Sequence, residues 1–217
     1  MANCNGLAQV AAILLTTLLA TSAKGQATAP DAARSVWSDV PRLIAFADVH
    51  GAYDELVPLL RKAGVIDGAD HWAAGTTHVV SLGDLLDRGG DSRKVMDLLM
   101  RLQREASAAG GQLHVVLGNH EAMNVLGDLR YVIPAEYAAY AADEPAELRD
   151  SAKQDWLAKG GTEADFTKRF PPGFFGQRAL LAPRGAYGAW LLTLPVAIAI
   201  NDTLFMHGGV SAALAGL

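Results

Sequence analysis

The 217-residue chain has little cysteine and no excess of positive charge. Its one cysteine, Cys4, excludes a disulfide framework within the chain and any zinc site built from several thiolates. Lysine and arginine number 18 against 23 acidic residues, for a net charge of -5. This argues against a nucleic-acid partner, because such proteins carry a basic excess to pair with phosphates. With 51% hydrophobic residues the chain is also too apolar for a disordered acidic protein. We therefore expect a folded domain.

The N-terminal segment predicts export. An uncharged, mostly apolar stretch runs from Leu7 to Ala20, and small residues follow it up to Ala27. This pattern is typical of a secretory signal with its cleavage zone, although no Lys or Arg precedes the stretch. The stretch is shorter than the ~20 apolar residues that span a bilayer, so we expect no stable membrane anchor. We predict a signal peptide over residues 1–27, a leader over 28–41, and a secreted or periplasmic protein; a buried N-terminal helix is the alternative.

Apolar runs and helical patterns alternate after the leader. Strands are predicted at 43–47, 77–82 and 113–117, and amphipathic helices at 53–62 and 91–109 lie between them. This strand–helix alternation predicts an α/β domain over residues 42–217. Two further strands are predicted at 196–200 and 203–206, joined by the hairpin signal Asn201-Asp202. Residues from about 131 to 187 are rich in charged, aromatic, proline and glycine residues, and we expect a helical insertion there.

Polar motifs follow four of the predicted strands directly. They are Asp48-Val49-His50-Gly51, Gly83-Asp84-Leu85-Leu86-Asp87-Arg88-Gly89, Gly118-Asn119-His120-Glu121 and His207-Gly208-Gly209. Loops past the carboxyl ends of strands in an open α/β sheet converge on one crevice. Carboxylate, imidazole and amide ligands without thiolate suit Mn, Fe or Zn, and metal ions are the natural countercharge for several anionic groups in one crevice. Arg88 adds a fixed cationic fork suited to phosphate oxygens.

These motifs resemble the calcineurin-like metallophosphoesterases, specifically the phosphoprotein phosphatase branch. The continuation Glu121-Ala122-Met123-Asn124 is most similar to the Shewanella-like protein phosphatases. Four motifs in the right order, each at a strand end, form a specific signal. The resemblance covers about Leu43 to Gly209. It implies an α/β sandwich of central mixed sheets flanked by helices.

The resemblance also implies a role for each motif residue. Asp48 and His50 would bind a first metal ion, Asn119 and His207 a second, and Asp84 would bridge both. Arg88 would hold a phosphate oxygen. His120, oriented by Asp87, would donate a proton to the leaving oxygen. A hydroxide bridging the two divalent or trivalent ions, whose identity (Mn, Fe or Zn) stays open, would attack phosphorus in line.

Two departures from the family pattern stand out. Ala47 stands where the family usually has glycine before the first aspartate. The family also places a further histidine ligand and a second phosphate-binding arginine downstream of His-Gly-Gly. No histidine follows His207 in this chain. We therefore expect the domain to be incomplete at its C-terminal end.

The functional hypothesis is a binuclear metal-dependent phosphomonoesterase that acts as a protein phosphatase. Its partner would be a phosphorylated substrate, either a phosphoprotein or a small phosphomonoester. One alternative is a symmetrical dinucleoside tetraphosphate hydrolase, and another is an inactive metal-binding remnant. Residues away from the strand ends are expected to be structural. These are the histidines His71, His78 and His114, the aromatic residues of the insertion, and the charged run 143–155. Glu121 is expected to orient a neighbouring loop.

Overall fold

A parallel sheet holds the strands that precede the first three motifs. The computed structural model describes residues 35–213, and this sheet has the order β2 (Leu43–Phe46), β3 (His78–Ser81), β4 (Gln112–Val115). Phe46, Ser81 and Val115 are register partners across the sheet. All three predicted strands are confirmed, so their carboxyl ends lie along one edge.

A second sheet carries the fourth motif. It has the order β1 (Val36–Trp37), β5 (Ala197–Ile200), β6 (Thr203–Met206), with β1 parallel and β6 antiparallel to β5. Asn201 and Asp202 form the predicted hairpin turn, with Asn201 at φ 55°. Strand β1 lies inside the segment expected to be a leader, and its pairing with β5 makes that part of the segment a component of the sheet. The predicted signal peptide, residues 1–27, lies outside the described residues.

Apolar side chains from both sheets pack into one cluster. Its buried members are Val80, Val116, Ile198 and Ile200, and Trp37, Leu43 and Phe205 pack against them. A larger cluster on the helical side joins the parallel sheet to α1 (Tyr53–Lys62) and α2 (Ser92–Ala108). This confirms the predicted α/β sandwich of two sheets flanked by helices.

The helices between the strands follow their apolar spacing. Leu56, Val57 and Leu60 are the buried face of α1, and Gly64 just beyond it adopts φ +68°. In α2 the buried face includes Val95, Leu98, Leu99 and Leu102. A third helix, α3 (Asn119–Leu126), begins inside the third motif and ends at Gly127. Sequence patterning did not indicate α3, because eight residues are too few for a clear helical period.

The segment from about 131 to 187 is helical. It contains α4 (Pro134–Ala138), a 3₁₀ turn (Ala141–Asp143), α5 (Ala146–Ala158), α6 (Glu163–Arg169), α7 (Phe174–Leu181) and the start of α8 (Ala186–Leu191). Trp156, Phe166, Phe170, Phe174 and Phe175 form a chain of ring contacts with centroids 5.0–6.4 Å apart. These aromatic residues are therefore the core of the insertion, as predicted. Every residue of α5 is at least partly exposed, which agrees with the solvated face expected there.

The three histidines away from the strand ends have structural partners. His71 Nδ1 lies 2.9 Å from a carboxylate oxygen of Glu105. His114 is buried, and its Nε2 lies 3.1 Å from Nδ1 of His78. The ring of Trp37 packs edge-on against His114. Within residues 35–213, no helix is long and apolar enough to cross a bilayer.

Candidate metal-dependent active site

The four motifs meet around the carboxylate of Asp84. Oδ2 of Asp84 lies 3.3 Å from Nε2 of His207, 3.7 Å from Nε2 of His50 and 3.8 Å from Nε2 of His120. Asp84 is buried, so its negative charge is directed at these three rings and is little screened by water. The predicted convergence of strand-end residues is therefore observed.

Two of the imidazoles are oriented by backbone carbonyls. Nδ1 of His50 lies 2.9 Å from the carbonyl oxygen of Leu86, and Nδ1 of His207 lies 2.8 Å from that of Leu82. A carbonyl can only accept, so each Nδ1 carries a proton, and in the neutral ring the lone pair of Nε2 then faces the cluster. This is the arrangement that holds a metal-binding histidine in the correct tautomer.

The remaining two predicted ligands complete the cluster. Oδ1 of Asn119 lies 3.0 Å from Nε2 of His207, and Oδ2 of Asp48 lies 4.0 Å from Nε2 of His50. With Nε2 of His207 unprotonated, both atoms of the first pair are acceptors. Two acceptors this close are stabilised by a cation between or beside them. The side chain of Asp48 is 56% exposed, and Asn119 is exposed as well.

The donor atoms fit metal ions. Among residues 35–213, two sets of ligand atoms lie within 4.8 Å of one another: His50, Asp84 and His120, and Asp48, Asp84 and His207. Oxygen and nitrogen atoms bound at ~2.0–2.2 Å from one ion lie at such separations. Asp84 belongs to both sets, as expected of a bridging carboxylate. The grouping differs from the expected roles in two respects. It includes His120, which the resemblance implies is a proton donor, and it places Asp48 with His207 and not with His50.

His120 has a partner that supports a role other than metal binding. Its Nδ1 lies 2.6 Å from Oδ2 of Asp87, and both side chains are fully buried. Asn124 donates to the other oxygen of Asp87 at 2.9 Å. A buried carboxylate at this distance fixes the orientation of the ring. The predicted Asp87–His120 pair is therefore present geometrically.

Arg88 lies between two imidazoles. Its Nη1 is 2.8 Å from Nε2 of His50, and its Nη2 is 3.2 Å from Nε2 of His120. The guanidinium thus places its positive charge against Nε2 of His50, the nitrogen that the resemblance assigns to metal binding. A phosphate oxygen brought to this point would meet both N–H groups of the fork. A groove of about 430 Å³ lies beside Arg88 and His50 and is also lined by Tyr53 and Asp54.

Glu121 holds the second and third motifs together. Its two carboxylate oxygens accept backbone N–H groups from Asp84, Leu85 and Gly118 at 2.8–2.9 Å, and from Leu86 at 3.2 Å. The carboxyl is fully buried, and this burial raises its pKa, while the N–H donors oppose the rise. Glu121 therefore orients a neighbouring loop, as expected.

The motif backbones are tightly packed and partly strained. His50, Asp84, Asp87 and Arg88 all have φ between 47° and 69°, where residues other than glycine are rare. Such strain persists only where surrounding contacts impose it, and it concentrates at functional sites. A Cβ on Gly118 would lie 2.4 Å from the backbone nitrogen of Asp84, so only glycine permits this approach of the two loops.

Tyr131 also belongs to the site, although sequence reasoning did not single it out. Its ring lies 5.1 Å from the ring of His120 and 5.8 Å from the guanidinium of Arg88, centre to centre. Its carbonyl accepts the backbone N–H of Arg88 at 3.1 Å. The ring is 43% exposed and forms part of the wall of the site. In the sequence, only the position of Tyr131 at the start of the insertion could have indicated that it lies at the site.

Comparisons with known proteins agree with this geometry. The sequence model for calcineurin-like phosphoesterases matches residues 41–216. Shewanella-like protein phosphatase 2 of Arabidopsis thaliana is 35% identical over 183 residues, which are 79% of this chain and 47% of the relative. The crystal structure of a cold-active protein-tyrosine phosphatase from a psychrophilic Shewanella species aligns with a TM-score of 0.63 and 31% identity, covering 84% of this chain and 46% of that one.

A similarity over a shorter segment exists to the bis(5'-nucleosyl)-tetraphosphatases. A symmetrical bis(5'-nucleosyl)-tetraphosphatase of Buchnera aphidicola is 37% identical over 76 residues, which are 35% of this chain and 22% of the relative. The chain spans about half the length of the phosphatases that it matches.

Proposed function

Because the chain belongs to the calcineurin-like phosphoesterase family, we propose that the protein is a metal-dependent phosphatase that hydrolyses phosphate monoesters, with phosphoproteins as substrates. The observation that carries this proposal is the Asp87–His120 pair beside the guanidinium of Arg88 and the ligand cluster around Asp84. A proton donor, a phosphate-binding fork and a metal-binding cluster next to one another are the parts that phosphoester hydrolysis requires.

Each of these side chains would have a separate role in the hydrolysis. Arg88 would bind two phosphate oxygens and so orient phosphorus toward the ligand cluster. His120 would carry its catalytic proton on Nε2 and donate it to the leaving oxygen. The carboxylate of Asp87 at Nδ1 would hold the ring in the orientation that this transfer requires. In the described arrangement Nε2 of His120 faces Arg88, so the fork must turn toward the phosphate before His120 can act as an acid.

We propose two metal ions. Asp48 and His50 would hold one, Asn119 and His207 the other, and Asp84 would bind both. When bound, the ions lower the pKa of a water molecule that becomes the nucleophile and neutralise charge on the phosphoryl group. The oxygen and nitrogen donor set supports manganese, iron or zinc.

The substrate class is tested by a panel of phosphoesters with the full-length protein. We expect turnover of p-nitrophenyl phosphate and of phosphotyrosine or phosphoserine peptides after addition of manganese. Asp84→Asn should abolish this turnover, because it removes the carboxylate that all three imidazoles face. Metal content, measured by mass spectrometry, should fall in the same variant. Turnover of all these substrates by Asp84→Asn at the wild-type rate would refute the proposal.

The alternative activity, hydrolysis of symmetrical dinucleoside tetraphosphates, is supported by the similarity to the Buchnera aphidicola enzyme. That similarity covers 35% of the chain, against 79% for the plant phosphatase, and therefore supports the alternative less strongly. Including diadenosine tetraphosphate in the panel separates the two activities. A preference for it over the phosphopeptides would favour the alternative. Absence of turnover with retained metal binding would favour an inactive metal-binding protein.

We also propose that the protein is exported. The support is the apolar stretch from Leu7 to Ala20 and the small residues after it, a pattern of secretory signals. N-terminal sequencing of the protein recovered from the periplasm or the medium should show a start near residue 28. Recovery of the uncleaved chain from the cytoplasm would contradict export.

A further inference from the structure

Asn124 extends the Asp87–His120 pair by one more hydrogen bond. Asp87 lies in the catalytic loop, residues 84–88, and its two carboxylate oxygens face two different side chains of α3. Oδ2 lies 2.6 Å from Nδ1 of His120, and Oδ1 accepts from Nδ2 of Asn124 at 2.9 Å. Each of the three residues is at most 1% exposed. They therefore form a buried chain of hydrogen bonds in the order Asn124, Asp87, His120.

Both hydrogens of the Asn124 amide are bound at this point. The second is donated to the carbonyl oxygen of His120 at 3.1 Å, one helical turn earlier in α3. A carboxylate and a carbonyl can only accept, so the amide nitrogen is the atom that faces them. Asn124 thus links the carboxylate of Asp87 to the backbone of His120, the residue whose ring that carboxylate orients.

The other end of the same amide argues against a role in packing alone. Oδ1 of Asn124 is buried and has no hydrogen-bond partner among residues 35–213. A buried acceptor in this situation destabilises the fold, and an apolar side chain of similar shape would avoid that cost. A polar side chain at such a position needs a specific reason. The hydrogen bond from Nδ2 to Asp87 supplies one.

We propose that Asn124 is a positioning residue for catalysis, which holds the carboxylate of Asp87 in the orientation that fixes the ring of His120. This inference rests on the proposed function. The terminal torsion of an aspartate has only a broad preference of its own, so hydrogen-bond partners set the orientation of the carboxylate. Without the bond from Asn124, Oδ2 of Asp87 would move relative to Nδ1 of His120. A displacement of ~1 Å in a catalytic group can cost about 10²-fold in rate.

The test uses Asn124→Leu in the full-length protein. Leucine branches at the same carbon as asparagine but donates no hydrogen bond, and its bulk keeps water from replacing the amide. Val125→Ala is the matched control, because Val125 is the next residue of α3 and packs against the larger apolar cluster. Turnover is measured with p-nitrophenyl phosphate, a good leaving group, and phenyl phosphate, a poor one.

We expect Asn124→Leu to lower kcat for phenyl phosphate ~10–10²-fold, which is the effect of one hydrogen bond to a charged group. The loss for p-nitrophenyl phosphate should be smaller, because that leaving group needs little protonation. KM should stay within about 3-fold, since Arg88 still binds the phosphate. Metal content should stay at the wild-type level. Val125→Ala should lower the unfolding temperature without changing the ratio of the two rates.

A double variant tests whether Asn124 acts through His120. His120→Asn removes the proton donor, so the orientation of that donor no longer matters. Adding Asn124→Leu to His120→Asn should therefore change kcat for phenyl phosphate by less than about 3-fold. A residue that only stabilised α3 would lower the rate equally in both backgrounds.

Four results would overturn the inference. They are wild-type kcat for phenyl phosphate in Asn124→Leu, equal losses with both substrates, the full loss repeated in the His120→Asn background, or loss of metal. The same change of the ratio in Val125→Ala would also contradict it. If Asn124→Leu does not fold, Asn124→Ala replaces it and is judged by the same results, because alanine removes the amide without adding bulk. A wild-type protein without turnover would refute the proposed function instead, so the two failures are distinguishable.

Discussion

Burial of His114 predicts a specific dependence of stability on pH. This ring is 7% exposed, and burial, followed by the proximity of His78, lowers its pKa from 6.5 to about 4. Between these values the unfolded chain binds a proton at this position and the folded chain does not. Stability must therefore fall as pH falls from 6.5 toward 4. Linkage gives about 2 kcal/mol of lost stability at pH 5 relative to pH 7.5, and about 3 kcal/mol below pH 4.

The variant His114→Gln isolates this contribution. Glutamine does not titrate, but it can still hydrogen bond to His78. We expect urea unfolding to show that the wild type loses about 2 kcal/mol more than the variant between pH 7.5 and pH 5. The other carboxyl and imidazole groups are common to both proteins, so their contributions cancel in the difference. Parallel curves of unfolding free energy against pH would refute the argument that His114 is buried in its neutral form.

Three further predictions concern the site. Asp84→Asn should reduce turnover more than Asp48→Asn, because Asp84 is buried against three imidazoles whereas Asp48 is mostly exposed; equal residual activity with full metal content would defeat the bridging role. His120→Asn should retain metal but lose ~10²–10⁴-fold in kcat, most for poor leaving groups, and loss of metal would mean that His120 is a ligand. Tyr131→Ala should raise KM for phenyl phosphate severalfold relative to an alkyl phosphate, since the ring forms a wall beside His120; equal changes in KM would contradict this contact.

Much of the site could be predicted from sequence because its residues follow apolar strands directly. The carboxyl ends of β2, β3 and β4 lie in register, so placing Asp48, Asp84 and Asn119 at those ends was enough to bring them together. His207 required only the further step that β6 ends at the same crevice. These are short-range relations between a strand and the loop after it.

The contribution of Tyr131 could not be predicted in the same way. It contacts the catalytic loop from a segment more than 40 residues away in sequence, and its position depends on how the insertion folds. A tyrosine in such a region resembles an ordinary surface residue until packing orients it. Strand β1 escaped notice for a similar reason, since two residues are too few to show alternation.

The anchoring of two motifs by Glu121 has a consequence for metal selection. One carboxylate group determines the spacing between the backbones of Gly118 and Asp84. That side of the site therefore cannot widen without breaking either the hydrogen bond from Gly118 or the three from the loop that begins at Asp84. Asp48 lies on the other side, mostly exposed and free of such anchoring among residues 35–213. We expect ions of different radius to be accommodated almost wholly by movement of Asp48. The ligand that binds least rigidly would then be the one that determines which metals the site can exchange.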